Sequence, residues 1–347
     1  MLELVKIIHG LGGTCYYTGV SLRNQLLNSG DAEASEILVH GVSQEELQHI
    51  IEQGEFTVGK NSIKLIDGIK DLNELKDLTI NSIFQNPITG AIYDPHNGML
   101  DLHNKSIRIS RGAIQNNPIK MVEACRTSSE LGFTVHVETW FELYDQARLI
   151  KFVPNDQLRD EMIKILMSAK PSIVFKLLQE TRILESLLPE LAACENIIQS
   201  KRLGVKNVFE HVMYTLDAAD LDISIRLTML FHDIAKPQTL EIGEDGKIHF
   251  FRHEVLGSHI AKQYMRTWGF SKDEIHKVSS LVLYHMFDAD PRLTDKAVRR
   301  LIKKVGKELI YDLLKVRIAD RLGTPNHISM KKIKVLKKKI DKEIQNI

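Results

Sequence analysis

The chain has 347 residues, 46 of them basic and 45 acidic, for a formal net charge of +1. That balance excludes a uniformly basic nucleic-acid binder or an acidic one as a whole-chain reading, so only local patches can serve such a role. The length allows two or three domains with a sizeable core. The three cysteines, Cys15, Cys125 and Cys194, are odd in number and far apart, which points to reduced thiols in a cytoplasmic protein. No apolar run approaches the ~20 residues needed to span a bilayer, so no membrane partner is expected. Met1-Leu2-Glu3-Leu4 lacks the basic segment and apolar stretch of a signal peptide.

The first 110 or so residues alternate short strand-like and helical runs. Gly12 to Gly19 reads as a turn and a strand, and Val20 to Leu27 as a helix. Glu36 to His40 and Ser62 to Ile66 are strand-like, rich in branched apolar residues. Ser43-Gln44-Glu45-Glu46 is a capping-box pattern that opens a helix through Ile51. Gly90 to Pro95 reads as a strand ending in a turn. These elements predict a small mixed sheet with helices.

The segment Lys76-Asp77-Leu78-Thr79-Ile80-Asn81-Ser82, followed by Ile92-Tyr93-Asp94-Pro95-His96-Asn97-Gly98-Met99-Leu100-Asp101-Leu102, resembles the head domain of class II CCA-adding tRNA nucleotidyltransferases and bacterial poly(A) polymerases. Thr18-Gly19-Val20-Ser21-Leu22-Arg23-Asn24 is similar to that family's phosphate-cradling turn. Asn117-Pro118-Ile119-Lys120 through Arg126, then Glu130 to Phe133, is similar to its neck helix. The resemblance implies an α+β fold: a nucleotidyltransferase-like head over 1–112, a helical neck and RNA-binding body over 113–200, and a further helical domain over 201–347. It implies nucleotide contacts at Gly19, Arg23, Glu36, Asp67, Asp77, Asn81, Asn117, Lys120 and Arg126.

Departures from the family pattern bear directly on chemistry. Polymerisation needs a pair of carboxylates on one strand to hold magnesium ions, and the matching positions are Ala34 and Glu36. Alanine binds no metal; Asp67, on a neighbouring run, is a remaining acid. Val20 stands where the family has a second glycine, which closes the backbone approach to phosphate. The family's base-reading aspartate and arginine match Asn117 and Lys120, and lysine lacks arginine's planar fork. A further family arginine is Glu123, while Arg126 is retained. The expectation is a head that no longer polymerises and serves as a scaffold or weak nucleotide- or RNA-binding module.

From about residue 115 the pattern is helical. Leu158, Met162, Ile165 and Leu166 share one helical face, Pro171 marks a break, and Leu187-Leu188-Pro189-Glu190-Leu191 reads as the end of a short helix. Seven of the fourteen histidines then fall between His211 and His285. His211, His232-Asp233, His253, His285 and Asp320 all lie on or at the ends of helical runs, and packed helices can project such side chains into one cleft. A single buried histidine is usually a hydrogen-bonded core residue; six candidates in this order are not explained that way.

The order His…His-Asp…His…His…Asp resembles the HD-domain phosphohydrolases. That resemblance assigns His211, His232, Asp233 and Asp320 to one metal, and His253 and His285 to a second, with Asp233 bridging. Imidazoles and carboxylates suit manganese, iron, cobalt, nickel or zinc better than magnesium. Two such ions about 3.5–4 Å apart would activate water against a phosphoryl group. Asp233 and Lys236 are the catalytic candidates, with Lys236 and Arg317 as phosphate contacts. His249, His259 and His276 read as peripheral, His259 being the best reserve ligand. Lys331 to Ile347 reads as an amphipathic helix with a solvated basic face. The expected activity is metal-dependent hydrolysis of a phosphomonoester or phosphodiester, such as a nucleotide or an RNA end. The alternatives are nucleotide addition to RNA 3′ ends, with tRNA as partner, and non-catalytic RNA binding.

Overall fold

A computed structural model describes residues 2–29, 36–53, 63–198, 204–287, 294–324 and 330–345. Ala34, Ser62 and Ile347, singled out above, lie outside the described residues. The fold is α+β, in two compact units, Met1–Leu149 and Ile150–Ile347. No helix among the described residues is long and apolar enough to cross a membrane.

The first unit is built on a five-stranded mixed sheet. Its strands are β1 (Thr14–Thr18), β2 (Glu36–His40), β3 (Ile63–Leu65), β4 (Phe84–Gln85) and β5 (Ile92–Tyr93), in the order β3-β2-β1-β4-β5. β2 and β3 run parallel and the other pairs antiparallel. Side chains alternate across the pleat, so successive residues feed opposite cores. Cys15, Ile37 and Val39 pack with Leu4, Val5 and Ile8 of the helix Leu2–Gly10. Tyr16 and Leu38 pack on the other side with Ile66, Leu72 and Phe84. The helix from Gln44 starts as the capping box requires: Glu46 N donates to Ser43 Oγ (3.1 Å), and Ser43 N donates to Glu46 Oε2 (2.7 Å). The register sets Thr18 opposite Glu36 at the end of the β1–β2 ladder, where the helix Gly19–Leu26 begins.

The second unit is helical, with one short hairpin, Leu240–Ile242 against Ile248–Phe250. Pro171 is the first residue of the helix Pro171–Glu180, where its missing N–H has no partner to lose. Pro189 does the same for Pro189–Ala193, so the segment around Leu187 and Leu191 is two short helices, not the end of one. The helix Ile223–Phe231 is buried from Ser224 to Phe231 and is the centre of the unit. Asp222 caps it by accepting from Ser224 N (2.8 Å) and Ile225 N (3.2 Å). The helices Val208–Ala218, His253–Thr267, Lys272–Tyr284 and Ile310–Leu322 surround it. The last described helix, Lys331–Gln345, buries Ile333, Leu336 and Ile340.

Two glycines permit close helix packing near the histidines. A Cβ on Gly257 would lie 3.3 Å from the Phe231 carbonyl, so the helix carrying His253 passes directly beside the chain entering His232. A Cβ on Gly323 would lie 2.3 Å from Thr215 Cγ2, so only glycine lets the end of the Asp320 helix meet the His211 helix.

Candidate metal centre

His211 lies in the helix Val208–Ala218, and His232 and Asp233 directly follow Ile223–Phe231. His253 is the first residue of its helix, His285 caps the end of Lys272–Tyr284, and Asp320 lies in Ile310–Leu322. His211, His232, Asp233, His253 and His285 are each at most 5% exposed.

The hydrogen bonds fix the state of each ring. The Nδ1 atoms of His232, His253 and His285 face the carbonyls of Met229 (2.7 Å), Phe250 (2.9 Å) and Val282 (2.7 Å), each three residues earlier. His211 Nδ1 faces the Gly323 carbonyl at 3.0 Å. A carbonyl only accepts, so every one of these Nδ1 atoms carries the proton. In the neutral ring Nε2 then presents a lone pair, which is the ligating form of histidine.

The Nε2 atoms converge. His211 and His232 Nε2 are 3.3 Å apart, and His253 and His285 Nε2 are also 3.3 Å apart. Asp233 stands between the pairs. Its Oδ2 is 3.5 Å from His211 Nε2 and 3.4 Å from His232 Nε2, while its Oδ1 is 3.4 Å from His253 Nε2 and 3.8 Å from His285 Nε2. Asp320 Oδ1 lies 3.1 Å from His211 Nε2 and 4.0 Å from His232 Nε2. Among the described residues, two groups bring such donor atoms within 4.8 Å of one another: His211, His232 and Asp233, and Asp233, His253 and His285. Buried lone pairs facing each other at these distances repel unless a cation or a proton lies between them. The donor set, nitrogen with carboxylate oxygen, fits divalent cations.

The electrostatics have the same origin. Burial acts to raise the Asp233 carboxyl, but Lys236 and the His232 imidazole hold it well below the usual carboxylate range. Burial likewise opposes ionisation of Asp320, and His211 overcomes it, so this carboxyl is also lowered. Burial, reinforced by the neighbouring His232, brings His285 down to about 3. His232 moves the other way: Asp233 beside it outweighs its burial and raises it.

Lys236 and Arg317 sit differently from the phosphate contacts expected of them. Lys236 Nζ donates to Asp233 Oδ2 at 2.6 Å, and Arg317 Nη1 donates to Asp320 Oδ2. Arg317 holds the oxygen of Asp320 that does not face the histidines, whereas Lys236 shares Asp233 Oδ2 with His211 and His232. His259 is exposed, its Nδ1 turned to the Val255 carbonyl (2.8 Å); His276 is exposed, and His249 stacks on Phe251. The orienting carbonyls and Gly323 were not singled out from sequence. The only trace there of Met229, Phe250 and Val282 is their position three residues before His232, His253 and His285.

The head residues form a separate network in the first unit. Arg23, 5% exposed, donates to Asn81 Oδ1 (3.1 Å) and Asn24 Oδ1 (3.0 Å). Lys120 Nζ lies 2.6 Å from Asp77 Oδ2 and 2.7 Å from Glu123 Oε2. Arg126 pairs with Glu130 at 2.6 Å. Asn117 and Asp67 are exposed. A Cβ on Gly19 (φ +76°) would lie 2.7 Å from Glu36 Oε2. Partial burial, then Asp77 and Glu123 nearby, raise the Glu36 carboxyl, although the residue still reaches solvent. Neither ligand group named above includes Glu36, Asp67 or Asp77.

Three family models match the chain: the poly(A) polymerase head domain over residues 40–108, the probable RNA- and SrmB-binding site of polymerase A over 132–195, and the HD domain over 208–324. The matched segments are thus the head and RNA-binding site of poly(A) polymerases and an HD domain. The HD match contains all six proposed ligands, and the head match begins at His40, after Gly19, Arg23 and Glu36. The CC-adding tRNA nucleotidyltransferase of Thermus thermophilus is 29% identical over 224 residues, 59% of this chain and 49% of the relative. The multifunctional CCA protein of Pasteurella multocida is 29% identical over 196 residues, 52% and 46% of the two chains. The matches thus span about half the length of these curated relatives. The Bacillus stearothermophilus CCA-adding enzyme, solved in complex with CTP, superposes with a TM-score of 0.65 at 18% identity, covering 98% of this chain and 81% of that one. A tRNA-processing enzyme solved with CTP gives 0.61 at 16% identity, covering 99% and 98%. At these identities the structures show a shared fold.

Proposed function

We propose that the HD domain of this chain is a metal-dependent phosphohydrolase acting on a phosphate ester of a nucleotide or RNA end. The observation that carries this reading is Asp233, with one carboxylate oxygen turned to each histidine pair. His211, His232, Asp233 and Asp320 would hold one divalent cation, and Asp233, His253 and His285 a second; manganese, iron, cobalt, nickel and zinc suit this set better than magnesium. Such cations, when bound, polarise a phosphoryl oxygen and acidify water. The chain's own groups do the positioning. The carbonyls of Met229, Phe250, Val282 and Gly323 lock the rings, while Lys236 and Arg317 steady the two carboxylates. Lys236 is the cation nearest the bridging oxygen, so exchange from Asp233 to a substrate phosphate is its catalytic role here. The division into 1–112, 113–200 and 201–347 is the accompanying proposal for how the functions are distributed.

Incubation of the purified chain with manganese or nickel and a chromogenic phosphodiester or phosphomonoester tests this. Hydrolysis abolished by Asp233→Ala supports it.

A second reading, nucleotide addition to tRNA 3′ ends, is favoured by the relatives' names, which point to transfer and not to hydrolysis. Against it stand Ala34 at a carboxylate position and Lys120 already paired with Asp77 and Glu123. Incorporation of CTP or ATP into tRNA with magnesium, lost in Glu36→Gln, would put this reading first.

A further inference from the structure

The helices Ile310–Leu322 and Lys331–Gln345 flank a cavity of about 360 Å³ in the second unit. Tyr311, Leu314 and Ile318 line it from the first helix at three- and four-residue steps, which puts them on one face. Met330 and Ile333 line it from the other side. The apolar face is only half covered: Leu314 and Ile333 are buried, whereas Tyr311 and Ile318 are 39% and 37% exposed. The volume lies within the range of small-molecule sites. None of the six ligands of the candidate metal centre lines it.

The remaining lining residues set the charge. They are Lys315, Lys334 and Lys337, all exposed, and no carboxylate among the described residues lines the cavity. Two of these cations are engaged by acids outside the lining: Lys315 by Asp312 (3.4 Å) and Lys337 by Asp341 (3.2 Å). Asp312 is shared with Lys277 (2.8 Å), and Asp341 also accepts from the Tyr311 hydroxyl (2.9 Å). Lys334 has no ion-pair partner among the described residues. One open ammonium beside an apolar cavity matches a ligand with a hydrocarbon tail and a single negative charge. A phosphate dianion would leave one of its charges unmatched.

We infer that this cavity binds a medium-chain carboxylate, its alkyl tail between Ile318 and Ile333 and its head at Lys334 Nζ. The site is independent of the HD chemistry proposed above. The full chain is titrated by calorimetry with sodium octanoate, sodium decanoate and decylammonium chloride, each below its micelle concentration. Burial of a methylene contributes about 0.8 kcal/mol, a factor of roughly four, so decanoate is expected to bind about fifteenfold more tightly than octanoate. Decanoate meets attraction at Lys334 and decylammonium repulsion, so a preference of about fivefold is expected, reversed in Lys334→Glu. Ile318→Asp is expected to abolish decanoate binding. Both substituted side chains are exposed, so an unchanged melting temperature checks the fold. Sedimentation velocity of the wild-type chain and Ile318→Asp is run in parallel. No binding of decanoate by the wild-type chain, equal affinity for the two ten-carbon probes, or an unchanged preference in Lys334→Glu overturns the inference. So does a wild-type dimer that Ile318→Asp dissolves, which would make a second copy of the chain the occupant.

Discussion

His253 Nε2 and His285 Nε2 lie 3.3 Å apart, and each ring is locked by an Nδ1–H donated to a carbonyl three residues earlier. Neither ring can turn its lone pair away without losing that bond, so the pair is preset for a cation. His253→Ala removes one side of it and leaves His211, His232 and Asp233 in place. The expected result is roughly half the wild-type manganese content per chain after dialysis, with hydrolysis reduced more than about tenfold. Elemental analysis of the dialysed protein checks the metal content.

The metal-free protein should lose stability on mild acidification. His285 is brought down to about 3, so in the folded chain it stays neutral while the unfolded chain takes up a proton below about 6.5. The unfolded state thus binds more protons between those values, and stability falls as pH falls, by at most about 1.4 kcal/mol per pH unit from this group. His232, which is raised, has the opposite sign. Its contribution is complete below about pH 6.5 and is lost only as pH rises through its folded value, so it does not mask the effect. Urea denaturation in EDTA from pH 6 to pH 4 measures the slope, and His285→Gln should flatten it.

Arg226 is a stability determinant remote in role from the chemistry. Its side chain is 3% exposed and donates to the carbonyls of Leu166 (2.7 Å), Ser168 (2.7 Å), Ala219 (3.2 Å) and Asp220 (3.3 Å). These carbonyls belong to the ends of two helices, where acceptors lack intrahelical partners. Arg226→Met should cost about 3 kcal/mol, since it strands several buried acceptors at once. Equilibrium unfolding followed by circular dichroism reads that loss directly.

In the first unit, Lys120 is held by Asp77 and Glu123, which outweigh the burial that would otherwise lower it. Asp77→Asn combined with Glu123→Gln leaves this half-buried cation without its ion pairs. A loss of about 2–4 kcal/mol is expected, with Lys120→Met in the same background restoring part of it. Thermal unfolding of the three variants tests the pair as a structural element.

Much of the site was legible in the chain itself. The order of His211, His232-Asp233, His253, His285 and Asp320 was readable because each ligand sits on or beside a strongly patterned helix, and the capping box at Ser43 was readable because it is local. Asp233 turning one oxygen to each histidine pair depends on how four helices pack, which no local pattern encodes. Lys236 and Arg317 were expected to face phosphate, yet lie one helical turn from carboxylates they can reach. The relatives' names favour nucleotide transfer over the hydrolysis read from the histidines.

The most direct test of the central claim is metal stoichiometry combined with turnover in one preparation. The chain, stripped with EDTA and dialysed against manganese, is analysed for bound metal and for phosphodiester hydrolysis alongside Asp233→Ala. A bridging Asp233 predicts a pair of ions per wild-type chain, and loss of both metal and more than about 99% of hydrolysis in the variant. Equal metal content in the two proteins, or a wild-type chain that binds manganese without hydrolysing any phosphate ester and instead adds nucleotides to tRNA, would contradict it.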